Sequence, residues 1–221
     1  MVKIGDSLPL VLVIAVVGIV LVRGLLSDRS WSSLAGTTQR DVVYRTVNGT
    51  AVKMDIHFPR TMGDEPLPVV VYIHGGAWIA GDRNSDVGQL DIIRLVDNGY
   101  IAVSIDYRLA PDNRFPAQIE DAKCAVRFLR ANAEKYHLDP KKVGVFGSSA
   151  GGHLAALVGV ADQSAGFDKG EYLNQSSRVQ AVVDIYGPTD LSILTNNAFT
   201  ASVRLAVFGT LDPNVLLGEA L

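Results

Sequence analysis

Gly147-Ser148-Ser149-Ala150-Gly151 follows the short apolar run Val143-Gly144-Val145-Phe146 and leads into small and apolar residues that continue to Val160. A G-x-S-x-G pattern between a strand and a helix has a mechanical meaning. Turning sharply from strand to helix forces Ser149 into a strained conformation, and neighbours two positions away must lack bulk for the turn to close. The turn raises the Ser149 hydroxyl above the sheet, at a helix N-terminus where amides and dipole favour negative charge. The plainer alternative for Ser149 is an ordinary helix N-cap.

Reading outward, the flanking sequence alternates strand and helix. Val42–Val47 and Val52–His57 flank Asn48-Gly49, a dipeptide suited to the positive φ angles of a hairpin turn. The run Val69–Ile73, between Pro68 and a glycine pair, predicts a strand buried on both faces, and Ile101–Ile105 predicts another. Between them, Val87, Leu90, Ile93 and Val96 have helical spacing up to a stop at Gly99. Pro116 opens a helix with Ile119, Ala122, Val126, Leu129 and Ala133 on one side, and Asp139-Pro140 sits in the turn after it. Val143–Phe146 is then a third buried strand and Val179–Tyr186 a fourth. Such alternation predicts an α/β fold with a mostly parallel, doubly wound sheet and the antiparallel hairpin at one edge.

In open α/β sheets, sites form beyond the carboxyl ends of the strands. His74-Gly75-Gly76-Ala77-Trp78 lies at one such end and the serine turn at another. Acyl transfer needs donors aimed at a developing oxyanion, a role open to the amides of Ala150, Gly76 and Ala77. Nucleotide binding fails on spacing. No G-x-x-x-x-G-K-[ST] exists, and the glycines at 144, 147, 151 and 152 do not spell G-x-G-x-x-G.

Together, His74–Trp78, Asp106-Tyr107-Arg108-Leu109-Ala110-Pro111, Gly147–Ala155 and Tyr186-Gly187-Pro188-Thr189-Asp190-Leu191 resemble the α/β-hydrolase esterases. They are most similar to the lipase/esterase branch that includes hormone-sensitive-lipase-like and BD-FAE enzymes. The resemblance runs from about residue 41 to the end. It implies a carboxylic-ester hydrolase with Ser149 as nucleophile, an oxyanion region of Gly75, Gly76, Ala77 and Ala150, a small-molecule ester substrate and no cofactor. His74 would orient the loop by hydrogen bonding. Trp78 and Tyr107 border an acyl pocket or simply pack in the core. A non-catalytic binding module, or a serine peptidase or amidase built on the same turn, remain as alternatives.

One part of that machinery is missing from the expected place. The family order is Ser, then Asp or Glu, then His. The four histidines, at 57, 74, 137 and 153, all lie before the last 68 residues. His57 falls at a strand end, His137 before a turn at the far edge of the sheet, and His153 on the helix behind Ser149, facing packing. Asp190 is a candidate acid, or with Thr189 a cap for the next helix. The chain is therefore expected to be an incomplete hydrolase domain, lacking the last two strands and inactive alone. Cys124 reads as a buried structural thiol.

Composition agrees with a globular protein. Of 221 residues, 48% are apolar and the formal charge is −3, which excludes general disorder and offers no basic field to nucleic acid. One cysteine excludes an internal disulfide framework, and no Cys/His cluster has zinc-ligand spacing. The oligomeric state is left open. Leu8–Val22 is apolar and uncharged. It predicts an N-terminal apolar helix, as a membrane anchor over 1–26 or a cleaved export signal, with a buried core helix as the bland reading. The protein would then be membrane-anchored, or secreted or periplasmic if the segment is cleaved. A linker at 27–40 and a hydrolase domain at 41–221 would follow.

Overall fold

A computed structural model describes residues 36–84, 88–191 and 198–209. The apolar segment Leu8–Val22 lies outside them. Among the described residues no helix is long and apolar enough to cross a membrane.

Six strands form one sheet: β1 (Thr38–Val47), β2 (Thr50–His57), β3 (Leu67–Ile73), β4 (Ile101–Ile105), β5 (Leu138–Ser148) and β6 (Ala181–Ile185). Their order across the sheet is β1-β2-β4-β3-β5-β6. β3, β4, β5 and β6 are mutually parallel, and the β1–β2 hairpin joins antiparallel through β2 and β4. The α-helices among the described residues are α1 (Gly88–Asp97), α2 (Ala117–Ala131), α3 (Ala150–Val160) and α4 (Ala198–Phe208).

Strand alternation decides which helix each face meets. Val69, Val71 and Ile73 of β3 share a core with Ile119, Val126 and Leu129 of α2 and with Leu154 and Val158 of α3. Tyr72 faces the other way, into a smaller cluster with Phe146 and with Ile92 and Val96 of α1. Both faces of the central strands are therefore covered, as their unbroken apolar runs require.

Three local expectations need correction. The buried residues of α1 are Ile92 and Val96, with Leu95 half-buried against them, whereas Leu90 is more than half exposed. Gly88 explains the rotation: a Cβ there would lie 2.1 Å from the Tyr72 ring, so the helix presents its glycine to that ring. Second, Asp139-Pro140 belongs to β5. Leu138 already pairs with Leu67, and regular pairing resumes at Val143 after a register shift. The turn chemistry survives inside that irregularity, where Asp139 accepts the Lys141 amide at 2.8 Å and proline has no ladder bond to lose. Third, His137 immediately precedes β5, an interior strand, and does not sit at a far edge. β1 also begins at Thr38, inside the stretch read as linker.

β6 is the edge strand opposite the hairpin among the described residues, and Val182 and Val183, on its two faces, are both exposed. A cavity of about 640 Å³ lies beside it, walled by Leu95, Tyr100, Phe146 and Val183.

Candidate active site

The carboxyl ends of β3, β4, β5 and β6 converge, and each leads into a segment singled out above. Ser149, between β5 and α3, has φ 54° and ψ −120°. A non-glycine side chain occupies that region only under constraint from its surroundings. Here the Ser149 amide donates to the Ile185 carbonyl of β6 at 2.9 Å, and its carbonyl accepts from His153 N at 3.1 Å. The serine carries no side-chain cap bond, so the plain N-cap reading does not describe it. The demand for small neighbours is explicit in the geometry. A Cβ on Gly147 would stand 2.3 Å from the Gly151 carbonyl oxygen. One on Gly151 would stand 2.0 Å from the Ile73 oxygen and 2.5 Å from that of His74. The serine turn and the His74–Trp78 loop are thus in backbone contact.

That loop is held in an unusual shape. Gly76, Ala77 and Trp78 all have positive φ, at 111°, 53° and 61°. The Ile79 and Ala80 amides fold back onto the Gly76 carbonyl at 3.1 and 3.0 Å. The Gly76 and Ala77 amides have no hydrogen-bond acceptor among the described residues. The segment after β4 braces the loop from behind. The His74 ring stacks on Tyr107 at 4.1 Å, Tyr107 Oη donates to the His74 carbonyl at 3.1 Å, and the Ala110 amide donates to the Trp78 carbonyl at 3.0 Å. His74 Nδ1 lies 2.6 Å from the Gly75 carbonyl. Tyr107 and Trp78 are both almost fully buried.

Sequence reasoning missed the clamp at the loop's far end. Arg83 donates from its backbone and Nη1 to Asp106 at 2.8 and 2.6 Å, from Nε to Asp55 at 2.8 Å and from Nη2 to Asp41 at 2.7 Å. Those carboxylates come from three separate stretches of chain, and no local pattern announces their meeting. Asp184 was missed too. It accepts the Gly187 amide at 2.7 Å, and a Cβ on Gly152 would fall 2.3 Å from its Oδ1. An aspartate inside the apolar run Ala181–Ile185 was the available signal. Asp190 is exposed, just after this turn.

The four histidines are not gathered at Ser149. His57 closes β2 at the opposite end of the sheet, opposite Ala102, with Nδ1 3.0 Å from Thr38 Oγ1. His137 Nε2 meets the Gly63 carbonyl at 2.8 Å. His153 is buried, and its ring stands edge-on to Trp78 at 5.2 Å. No hydrogen bond joins Ser149 Oγ to a histidine among the described residues. Cys124 is buried and its thiol is pushed up to about 11 by desolvation, with the Arg127 charge opposing, which keeps it a thiol at neutral pH.

Burial lowers His57 and His153 to about 4 each, with Asp55 and Asp184 respectively opposing the shift. Both rings are neutral in the folded chain at pH 7. A folded-state pKa below the unfolded value of about 6.5 means that this stability is present above pH ~6.5. It is lost as pH falls toward about 4. Urea unfolding at pH 4.5 should show a loss on the order of 2 kcal/mol per ring relative to pH 7. His57→Gln and His153→Gln should each flatten that dependence. An unchanged slope in both variants contradicts the assignment.

A serine held at positive φ where a parallel strand turns into a helix, with a glycine-rich loop from the neighbouring strand against it, is the arrangement of the α/β hydrolases, and the order of the sheet agrees. Comparison with known proteins narrows the class. The BD-FAE family profile matches residues 54–215, and the chain belongs to that family. Esterase LipC of Mycobacterium tuberculosis is 38% identical over 137 residues, which is 62% of this chain and 34% of LipC. Carboxylesterase NlhH of the same organism is 39% identical over 111 residues, 49% of this chain and 34% of NlhH. Among solved structures, the hyperthermophilic esterase of the archaeon Pyrobaculum calidifontis superposes with a TM-score of 0.71 at 26% identity. That match covers 93% of this chain and 67% of the archaeal one. The chain spans about a third of the length of these curated relatives.

Proposed function

We propose that this chain carries the nucleophile and oxyanion region of a carboxylic-ester hydrolase that works through an acyl-enzyme on Ser149. The observation that carries the reading is the contact of Gly151 with the Ile73 and His74 carbonyls, because it sets the two glycine-rich segments side by side. In the proposed first step Ser149 Oγ bonds to the ester carbonyl carbon and its proton passes to a base. The carbonyl oxygen becomes an oxyanion facing the amides of Gly76, Ala77 and Ala150, with Gly75 shaping the loop. Collapse expels the alcohol, which takes up a proton, and water then releases the acid from Ser149.

A serine hydroxyl is a weak nucleophile until something accepts its proton. None of this chain's four histidines is bonded to Ser149, so the chain alone should work far below a complete triad, by roughly 10³-fold or more. Small imidazole in solution can act as that acceptor. We expect hydrolysis of p-nitrophenyl acetate by the chain to exceed that by Ser149→Ala, and the difference to grow with added imidazole. Equal rates for the two proteins at every imidazole concentration would remove the nucleophile assignment and favour a non-catalytic binding module. Full turnover without imidazole would instead remove the claim that a base is lacking. The composition of Leu8–Val22 supports attachment to a membrane or export, which fractionation of expressing cells would test.

A further inference from the structure

We propose that Arg204 forms an anion-binding site on the Trp78 side of the candidate active site, and that it receives a free carboxylate carried by the ester substrate. Arg204 on α4 is fully buried, yet Nε, Nη1 and Nη2 all lack a hydrogen-bond partner among the described residues. Every other buried cation among the described residues is answered. Arg45 meets Asp121 at 2.6 Å, Arg127 meets Asp168 at 2.6 Å, and Lys123 meets Asp168 at 3.1 Å. A guanidinium cannot escape burial by losing its proton, so it calls for a counter-charge. No acidic residue occurs in Ala198–Phe208 to supply one.

The position of α4 connects this charge to the site. Phe208 lies one turn beyond Arg204 on the same helix face. Its ring is 6.3 Å from Trp78 and 5.6 Å from Phe115, and Val207 accepts the Phe115 amide at 2.9 Å. Trp78 ends the glycine-rich loop and meets His153, one helical turn after Ser149. The guanidinium fork matches a carboxylate with two parallel hydrogen bonds, and aromatic walls exclude the water that would compete for them. A hemiester, with one carboxyl esterified and one free, combines the scissile bond with that anion. The inference rests on the ester-hydrolase reading for the identity of the ligand, but binding needs no turnover.

The test is equilibrium titration followed by tryptophan fluorescence, using the full chain with Ser149→Ala to prevent hydrolysis. Monomethyl succinate, dimethyl succinate and acetate are compared. We expect the hemiester to bind at least tenfold more tightly than either the neutral diester or acetate. Arg204→Met should abolish the preference. Should that variant fail to fold, Arg204→Lys, which keeps the charge and loses the fork, should reduce the preference several-fold. Equal affinity for hemiester and diester overturns the proposal, as does a preference that survives in Arg204→Met. Acetate binding as tightly as the hemiester overturns the assignment to substrate. Because Ser149 is already removed, loss of this preference is distinguishable from failure of the nucleophile assignment.

Discussion

Gly151→Ala is expected to lower the stability of the folded chain by at least about 3 kcal/mol, with a fall in Tm of roughly 6–12 °C. Helix propensity alone argues the other way, since alanine is better than glycine inside a helix by about 1 kcal/mol. Packing decides the sign. The new methyl would meet main-chain atoms of the central strand β3, the Ile73 oxygen at 2.0 Å and its carbon at 2.7 Å. Ile73 ends β3 but is paired on both sides, with Ile105 and Gly147, so its backbone cannot swing aside and the methyl must push the serine turn away from the loop. Gly159→Ala on the same helix is the control. There the methyl would meet Val182 Cγ2 at 2.6 Å, a side-chain atom on the exposed edge strand that can move. Its loss should be under about 1.5 kcal/mol. Similar stabilities for the two variants contradict the packing of the turn.

Asp121→Ala should be comparably damaging, at about 3–5 kcal/mol by denaturant unfolding. Its carboxylate is fully buried and accepts three charge-assisted or backbone bonds, from Arg45 Nη1 at 2.6 Å, Arg108 Nε at 2.8 Å and the Arg108 amide at 2.9 Å. Truncation strands the Arg45 guanidinium, which Glu120 and Glu171 reach only at 3.6 Å, and leaves Arg108 with Glu120 at 3.1 Å as its remaining carboxylate. The effect should extend to function, because Arg108 adjoins Tyr107, the ring that stacks on His74 beneath the loop. A loss below about 1 kcal/mol would mean that the network is already relaxed by solvent.

What could be read from sequence was local. The serine turn, the glycine loop, the Asn48-Gly49 hairpin and the buried strands each carry their signal within a few residues. The face of α1 was misread because two apolar stripes overlap in it, and only the fit of Gly88 to Tyr72 separates them. The Arg83 clamp, the contact of Asp184 with the serine helix and the unanswered charge of Arg204 arise between distant segments. No periodicity encodes them. The position of His137 turned on whether Pro140 ends the preceding turn or lies within β5, and pairing of Leu138 with Leu67 decided it.

The central claim is that the turn presents Ser149 as a nucleophile. Its most direct measurement is peptide mapping by mass spectrometry after brief exposure of the chain to p-nitrophenyl acetate and imidazole. The account predicts one acetyl group on the peptide containing Ser149, absent from Ser149→Ala. An unmodified Ser149, with acetyl groups only on lysines and in the same pattern in both proteins, would contradict it.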